Sequence, residues 1–202
     1  SAKGQPDMTT ETPDLSHLPE QVRVRYEKML RMQARHENPY KNGFSPRDLS
    51  AELHRKFDEK TKEELEPAKI GATVAGRVMA IRDFGKAAFL RVRDRTGLIQ
   101  VFISKNDLNE ADYSTYKHDL DVGDIVYTEG HVFKTKTNEL SVHATKLVLL
   151  TKALQPLPEK FHGITDIEKR YRQRYVDLIV TEEARETFRK RAIIVDEIRQ
   201  FF

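Results

Sequence analysis

Cysteine is absent from this chain of 202 residues, which excludes disulfides and thiolate-held metals and is compatible with a reducing compartment. The seven histidines form no HxxxH or HxH pair, so a histidine-based zinc site is not expected either. Long apolar runs are also lacking: nothing approaches the length of a membrane span, and no secretory leader is visible. Nor does one sign of charge dominate, since 35 Lys and Arg face 32 Asp and Glu for a net charge of +3. A pI near 9.0 permits nucleic-acid binding without arguing for it. What is present is polar, with a mean hydropathy of -0.65, yet its apolar residues come in clusters. Real cores flanked by charged helices are expected, in a length sufficient for one large domain or two smaller ones.

Residues 1–15 carry Gly4, Pro6 and Pro13 and almost nothing apolar, and read as a disordered leader whose Ser-Ala start resembles an expression scar. Residues 16–68 read as a helical segment. Pro19 suits the first turn of a helix, and Val22, Tyr26, Met29 and Leu30 then recur on one helical face. Arg23, Arg31 and Arg35 lie off that face, and a solvated surface explains them better than an RNA contact does. Two shorter helical patches, 50–57 and 61–65, lead up to Pro67.

From Ile70 the pattern changes to strands. Residues 72–85 are β-branched and apolar with a small-residue break at Gly76; 86–94 alternate, with Phe89 on one parity and Leu90 and Val92 on the other. Arg95-Thr96-Gly97 turns the chain into a third strand, 98–104. A short helix over 113–120 interrupts the series before strands at 124–137 and 139–150, joined at Asn138, which tolerates left-handed geometry. Three strands, a helix and two strands is the order of the OB-fold, a five-stranded Greek-key barrel, here placed at 69–151. A small barrel of the SH3 type competes but has no helix between its third and fourth strands.

The stretch 149–180, LLTKALQPLPEKFHGITDIEKRYRQRYVDLIV, is no ordinary linker, because linkers are small, polar and loosely specified. Leu154, Leu157, Phe161, Ile164 and Ile167 need surfaces to pack on, so 152–180 reads as a hinge seated on its neighbours. Thr181 is placed to cap a helix whose first turn holds Glu182 and Glu183. Ala184, Phe188, Ala192, Val195, Ile198 and Phe202 form an apolar stripe along it. The chain stops inside that helix, so 181–202 reads as the truncated start of a further domain.

An OB barrel receives single-stranded nucleic acid by stacking bases on outward aromatics and reading their edges with polar groups. Because Leu90 and Val92 take the core parity, Phe89 is free to face outward. Gln100, opposite in parity to Ile99, Val101 and Ile103, is expected to point away from the core with an amide that donates and accepts. Arg77, just after Gly76 on the first strand, adds a cation, and Glu139, at the start of the fifth strand, adds an acceptor. Together they supply what recognition of one unpaired base needs.

The connector LLTKALQPLPEKFHG followed by RYRQRYVDLI resembles that of bacterial-type class II lysyl-tRNA synthetases. GKAAF (85–89), GLIQVFI (97–103), FKTKTNELS (133–141) and the Gly123-Asp124 pair are similar to the anticodon-binding barrel of that family. The likeness covers about 18–202. Aspartyl- and asparaginyl-type synthetases share the barrel but not the KALQPLPEKFHG connector, and a free-standing OB module that binds RNA without ligase activity needs no such hinge.

By resemblance, the chain is mainly β with flanking helices: a five-stranded OB barrel, preceded by N-terminal helices and followed by the first helices of a class II α+β catalytic domain. Phe89 would stack on an anticodon base of tRNA(Lys), while Arg77, Gln100 and Glu139 would read the central uridine. The family joins lysine to ATP, with Mg2+ neutralising the phosphates, and passes the lysyl group to tRNA. It is a cytoplasmic homodimer, not a membrane protein, and the 181–202 helix would open motif 1 at the dimer interface. Motifs 2 and 3 would follow Phe202, so no catalytic residue is expected here, and His162, Arg172 and Arg174 are expected to serve the hinge. Two positions depart from the family pattern: Arg93 stands where a neutral residue such as Gln is usual, and Asn138 where Gly is usual.

Overall fold

The computed structural model describes residues 13–158 and 166–202, in two compact units that meet in the sequence at Gln155 and Pro156. Most of the expected leader, together with Phe161, His162 and Ile164 of the expected hinge, lies outside the described residues.

In the first unit, strands β1 (Gly71–Asp83), β2 (Ala87–Arg93), β3 (Leu98–Ser104), β4 (Ile125–Lys134) and β5 (Leu140–Thr151) close into a barrel of order β1-β2-β3-β5-β4. The pairing of β3 with β5 is parallel and the others are antiparallel. This is the OB-fold. Alternation builds it: along β2, Ala88, Leu90 and Val92 are buried while the residues between them are not. Leu90, Val92, Val101, Ile103, Leu147 and Leu149 lie fully inside, each burial stabilising the barrel by about 1.5–3 kcal/mol.

β1 does not break at Gly76. The strand runs through it, and a Cβ there would collide with the backbone carbonyl of Arg93 on β2. Glycine thus permits two backbones to approach, and the strand's irregularity falls instead between Val78 and Ala80. Between β3 and β4, helix α4 (Glu110–Ser114) starts before the expected helix, at an Asn109 cap, and continues as a π-helical turn over Thr115–Asp119.

Helix α1 (Glu20–Ala34) begins after Pro19, which occupies the cap rather than the first turn. Its buried residues are Val22, Arg25 and Met32. Tyr26, Met29 and Leu30, expected on the packed face, are only half-buried. Arg25 enters because its guanidinium donates to the carbonyls of Val122 (2.8 Å) and Ala153 (3.0 Å). Helices α2 (Ser50–Phe57) and α3 (Lys62–Ala68) add Leu53 and Leu65 to the core. α3 opens on a Thr61/Glu64 capping box and runs through Pro67, ending at left-handed Lys69.

An ionic cluster fastens α1 and the end of β5 to the loop before β4. The Lys152 ammonium, fully buried, donates to Asp121 (2.5 Å), Asp124 (2.7 Å) and the Asp119 carbonyl (2.8 Å). Lys28 also reaches Asp121 at 2.7 Å, and Arg35 reaches Asp119 at 2.6 Å. Burial works against ionisation of Asp121, but Lys152 and Lys28 outweigh it and hold its carboxyl below the usual range.

The second unit contains α5 (Ile167–Arg172), α6 (Arg174–Val180) and α7 (Glu182–Phe201). Thr181 occupies the cap of α7 without bonding it; its hydroxyl donates instead to buried Asp177 at 2.8 Å. Burial disfavours the Asp177 anion, yet Thr181, Arg170 and Arg174 together lower its pKa. Ile167 is exposed rather than packed, and along the α7 stripe only Ala184 is buried, with Phe188, Ile198 and Phe202 exposed. Among the described residues no helix is long and apolar enough to cross a membrane.

Candidate nucleic-acid interface

Strand register sets the outer face of the barrel in rows. One row runs Phe89, Phe102, His143, His131 across β2, β3, β5 and β4. Two residues along, on the same side of the sheet, a second row runs Arg91, Gln100, Ser141, Phe133. Two further along β2, Arg93 sits opposite Arg77 of β1 and Leu98 of β3.

Phe89 is half-buried, its ring centroid 5.0 Å from Phe102 and 6.1 Å from the highly exposed Phe84 of the β1–β2 turn. Phe102 in turn lies 5.0 Å from the His143 ring at an edge-on 84°. His143 stacks on His131 at 4.8 Å and meets the Asp107 carboxylate at 2.9 Å. The face therefore offers a band of aromatic rings rather than one. Sequence reasoning missed Phe84, Phe102, Phe133 and the two histidines, because only register brings them beside Phe89. The available signal was that Phe102 shares the parity of Gln100.

Gln100 takes the outward parity but does not stand free. It is 6% exposed, and its Nε2 donates to Ser141 Oγ at 2.9 Å across the junction of β3 and β5. Ser141 Oγ in turn donates a hydrogen bond to the Glu139 carbonyl at 3.2 Å. This chain fixes the orientation of the amide through its Nε2.

Glu139 lies one residue ahead of β5 rather than within it, after a turn in which Asn138 takes a φ of 64°. The Asn that departs from the family pattern therefore occupies the left-handed position itself. The Glu139 carboxylate is 3.4 Å from the Arg91 guanidinium, another residue sequence reasoning passed over, and remains 37% exposed. Arg77 is half-buried and donates to the Gly123 carbonyl at 2.7 Å. Desolvation lowers its pKa from the ordinary arginine value, with the Asp124 charge opposing. Phe89, Gln100 and Glu139 thus belong to adjoining rows, and Arg77 shares their face from the next row on β1.

On the second unit, Arg172 donates to Glu168 at 2.8 Å. Arg174 pairs with Asp177 and lies over the rings of Tyr171 (5.0 Å) and Phe188 (5.2 Å). Arg174 thus packs within that unit, while Arg172 stays on its surface. Among the described residues no group of three His, Asp or Glu side chains is arranged to hold a metal ion.

The tRNA anticodon family, an OB-fold nucleic acid binding domain, matches residues 72–150, which is the barrel. A lysine–tRNA ligase of Anaeromyxobacter sp. (strain K) is 49% identical over 180 residues, covering 89% of this chain and 35% of the relative. The chain is a homologue of lysine–tRNA ligases. The Photorhabdus laumondii lysine–tRNA ligase is 46% identical over 193 residues, covering 95% of this chain and 37% of the relative. That of Streptococcus suis is 45% identical over 190 residues, covering 94% and 38%. The chain thus spans little more than a third of the length of these curated lysine–tRNA ligases. Its barrel is an OB-fold of the tRNA anticodon family, with rings and polar groups on its outer face.

Proposed function

We propose that this chain is the anticodon-recognising portion of a class II lysine–tRNA ligase, and that its barrel receives the anticodon of tRNA(Lys). Phe89 stacks on an anticodon base. The carbonyl side of Gln100, the Glu139 carboxylate and Arg77 read the central uridine. The observation that carries this reading is the juxtaposition of the Phe89 ring row with the Gln100–Ser141 row on one outer face. Stacking gives affinity to any base, and a pre-oriented amide beside an anionic acceptor gives preference for one.

Lysine activation with ATP and transfer of the lysyl group to tRNA belong to the full-length enzyme, a cytoplasmic homodimer. Among the described residues no set of carboxylates fits a Mg2+ site. The exposed stripe of α7 supports its role as the opening helix of a catalytic domain that pairs across the dimer.

The test is fluorescence anisotropy with a stem-loop bearing a UUU anticodon and a control altered at its central base. Phe89→Ala and Gln100→Ala should each weaken binding of the UUU loop, the stacking lost with Phe89 costing about 1–3 kcal/mol. Thermal melts run alongside separate lost contacts from lost folding at Gln100. Equal binding by the parent and both variants removes the reading face. The chain alone should show no lysine-dependent ATP–pyrophosphate exchange, and measurable exchange would place an active site within it.

A further inference from the structure

Next to the reading rows, the outer surface sinks into a cleft of about 550 Å3, within the size range of sites that hold whole ligands. Its walls include the apolar Pro46, Leu49 and Ile125, and its cations are Arg77, Arg93 and Arg95. The acid in the lining, Asp94, keeps its charge but is held by neutral donors of the α2 start and the β2–β3 turn. Its carboxylate accepts from Ser50 N (2.6 Å), Ser50 Oγ (2.7 Å), Thr96 N (2.7 Å), Thr96 Oγ1 (2.7 Å) and Gly97 N (3.0 Å). Arg77 is committed only to an uncharged carbonyl. Arg95, exposed in the β2–β3 turn, makes no hydrogen bond or ion pair among the described residues. A concave site with an apolar wall and a cationic rim suits a ribose–phosphate segment better than a base edge.

We propose that this cleft holds the phosphodiester backbone of the RNA strand whose base enters the Phe89 and Gln100 rows, with Arg95 at its rim and Arg93 in its wall. The proposal rests on the reading of the outer face given above. Arg93 lies four residues from Phe89 on β2, about 13 Å at strand rise, so a strand leaving the stacking ring can enter the cleft with its next nucleotides. Phosphate contacts position a strand without choosing its sequence. The cleft should therefore add affinity that is blind to the anticodon and sensitive to salt.

The experiment titrates the whole chain against the UUU stem-loop, the centrally altered stem-loop and oligouridine over a series of salt concentrations. Arg95→Ala should bind all three RNAs about two- to fivefold more weakly at low salt, the range of an exposed charge contact. Its slope of log affinity against log salt should fall by about 0.7, the value for one lost phosphate contact on a single strand. Arg95→Lys, which keeps the charge, should retain the parent slope. An unchanged slope for Arg95→Ala overturns the proposal, as does a loss confined to the UUU loop, which would make Arg95 a base reader. If the parent fails to distinguish the two stem-loops, the base-reading assignment falls, while the slope on oligouridine still decides the cleft.

Discussion

Where α1 meets the barrel, Lys152, Asp124 and Arg25 are buried, and each is held by two or more partners drawn from separate segments. On the outer face, Arg77, Arg91, Glu139 and Arg95 carry the same kinds of charge, yet they are half-buried or exposed, with one neighbour apiece or none. Chemistry does not separate the two groups; solvation and the number of partners do. A buried ion must be matched from several sides, so it specifies how segments join. A half-solvated ion costs little to leave under-matched and remains available to a ligand.

The contrast is broken or sharpened by substitution. The largest effect is expected for Lys152→Met, which leaves buried Asp124 without a cation and Asp121 with Lys28 alone. Unfolding measurements should show a loss of about 3–5 kcal/mol. A loss under about 1 kcal/mol would mean that the cluster does not fasten the barrel. Asp94→Asn should cost about 1.5–3 kcal/mol at neutral pH through weakened charge-assisted bonds to Ser50, Thr96 and Gly97. Burial opposes the Asp94 anion, but the Ser50 and Thr96 bonds lower its pKa, so its contribution is full above about 3.9 and fades as pH falls through the folded value. The gap between parent and variant should therefore close in acid, and a gap that stays constant to pH 2 would sink the ionic explanation.

Gly76→Ala should destabilise by about 1–3 kcal/mol, because the methyl meets the Arg93 backbone rather than a movable side chain. It should also loosen RNA binding, since Arg77 and Arg93 pair at that point. The smallest effect belongs to Arg91 and Glu139: a double-mutant cycle on stability should return about 0.2–1 kcal/mol. A coupling comparable to that of Lys152 would erase the distinction between the two regions.

The barrel was legible in the sequence because period-2 alternation and turn residues are local. Leu90 and Val92 against Phe89 is a pattern any strand displays in one dimension. The ionic cluster was not legible, since a search for apolar periodicity passes over Arg25, and the partners of Lys152 lie far from it along the chain. At the site, Gln100 and Phe89 could be assigned a side of the sheet. Their neighbours Ser141, Phe102 and His143 follow only from which strands pair, and in what register. Parity also says nothing of solvent: Gln100 has the outward parity and is still covered. The cap expected of Thr181 failed for a similar reason, because Asp177, one turn back, competes for its hydroxyl.

The parallel junction of β3 and β5 is registered by only three residue pairs, Gln100 with Ser141, Val101 with Val142 and Phe102 with His143. Like the β4–β5 pairing it must wait for the last strand to be made, and about forty residues separate its partners. Gln100 has no Ser141 to orient it, and Phe102 no His143 beside it, until the last strand has emerged and docked. A nascent chain that stalls before residue 141 can carry Phe89 and Arg77 and still lack the oriented amide. The oriented amide proposed to read the base is thereby a late product of folding.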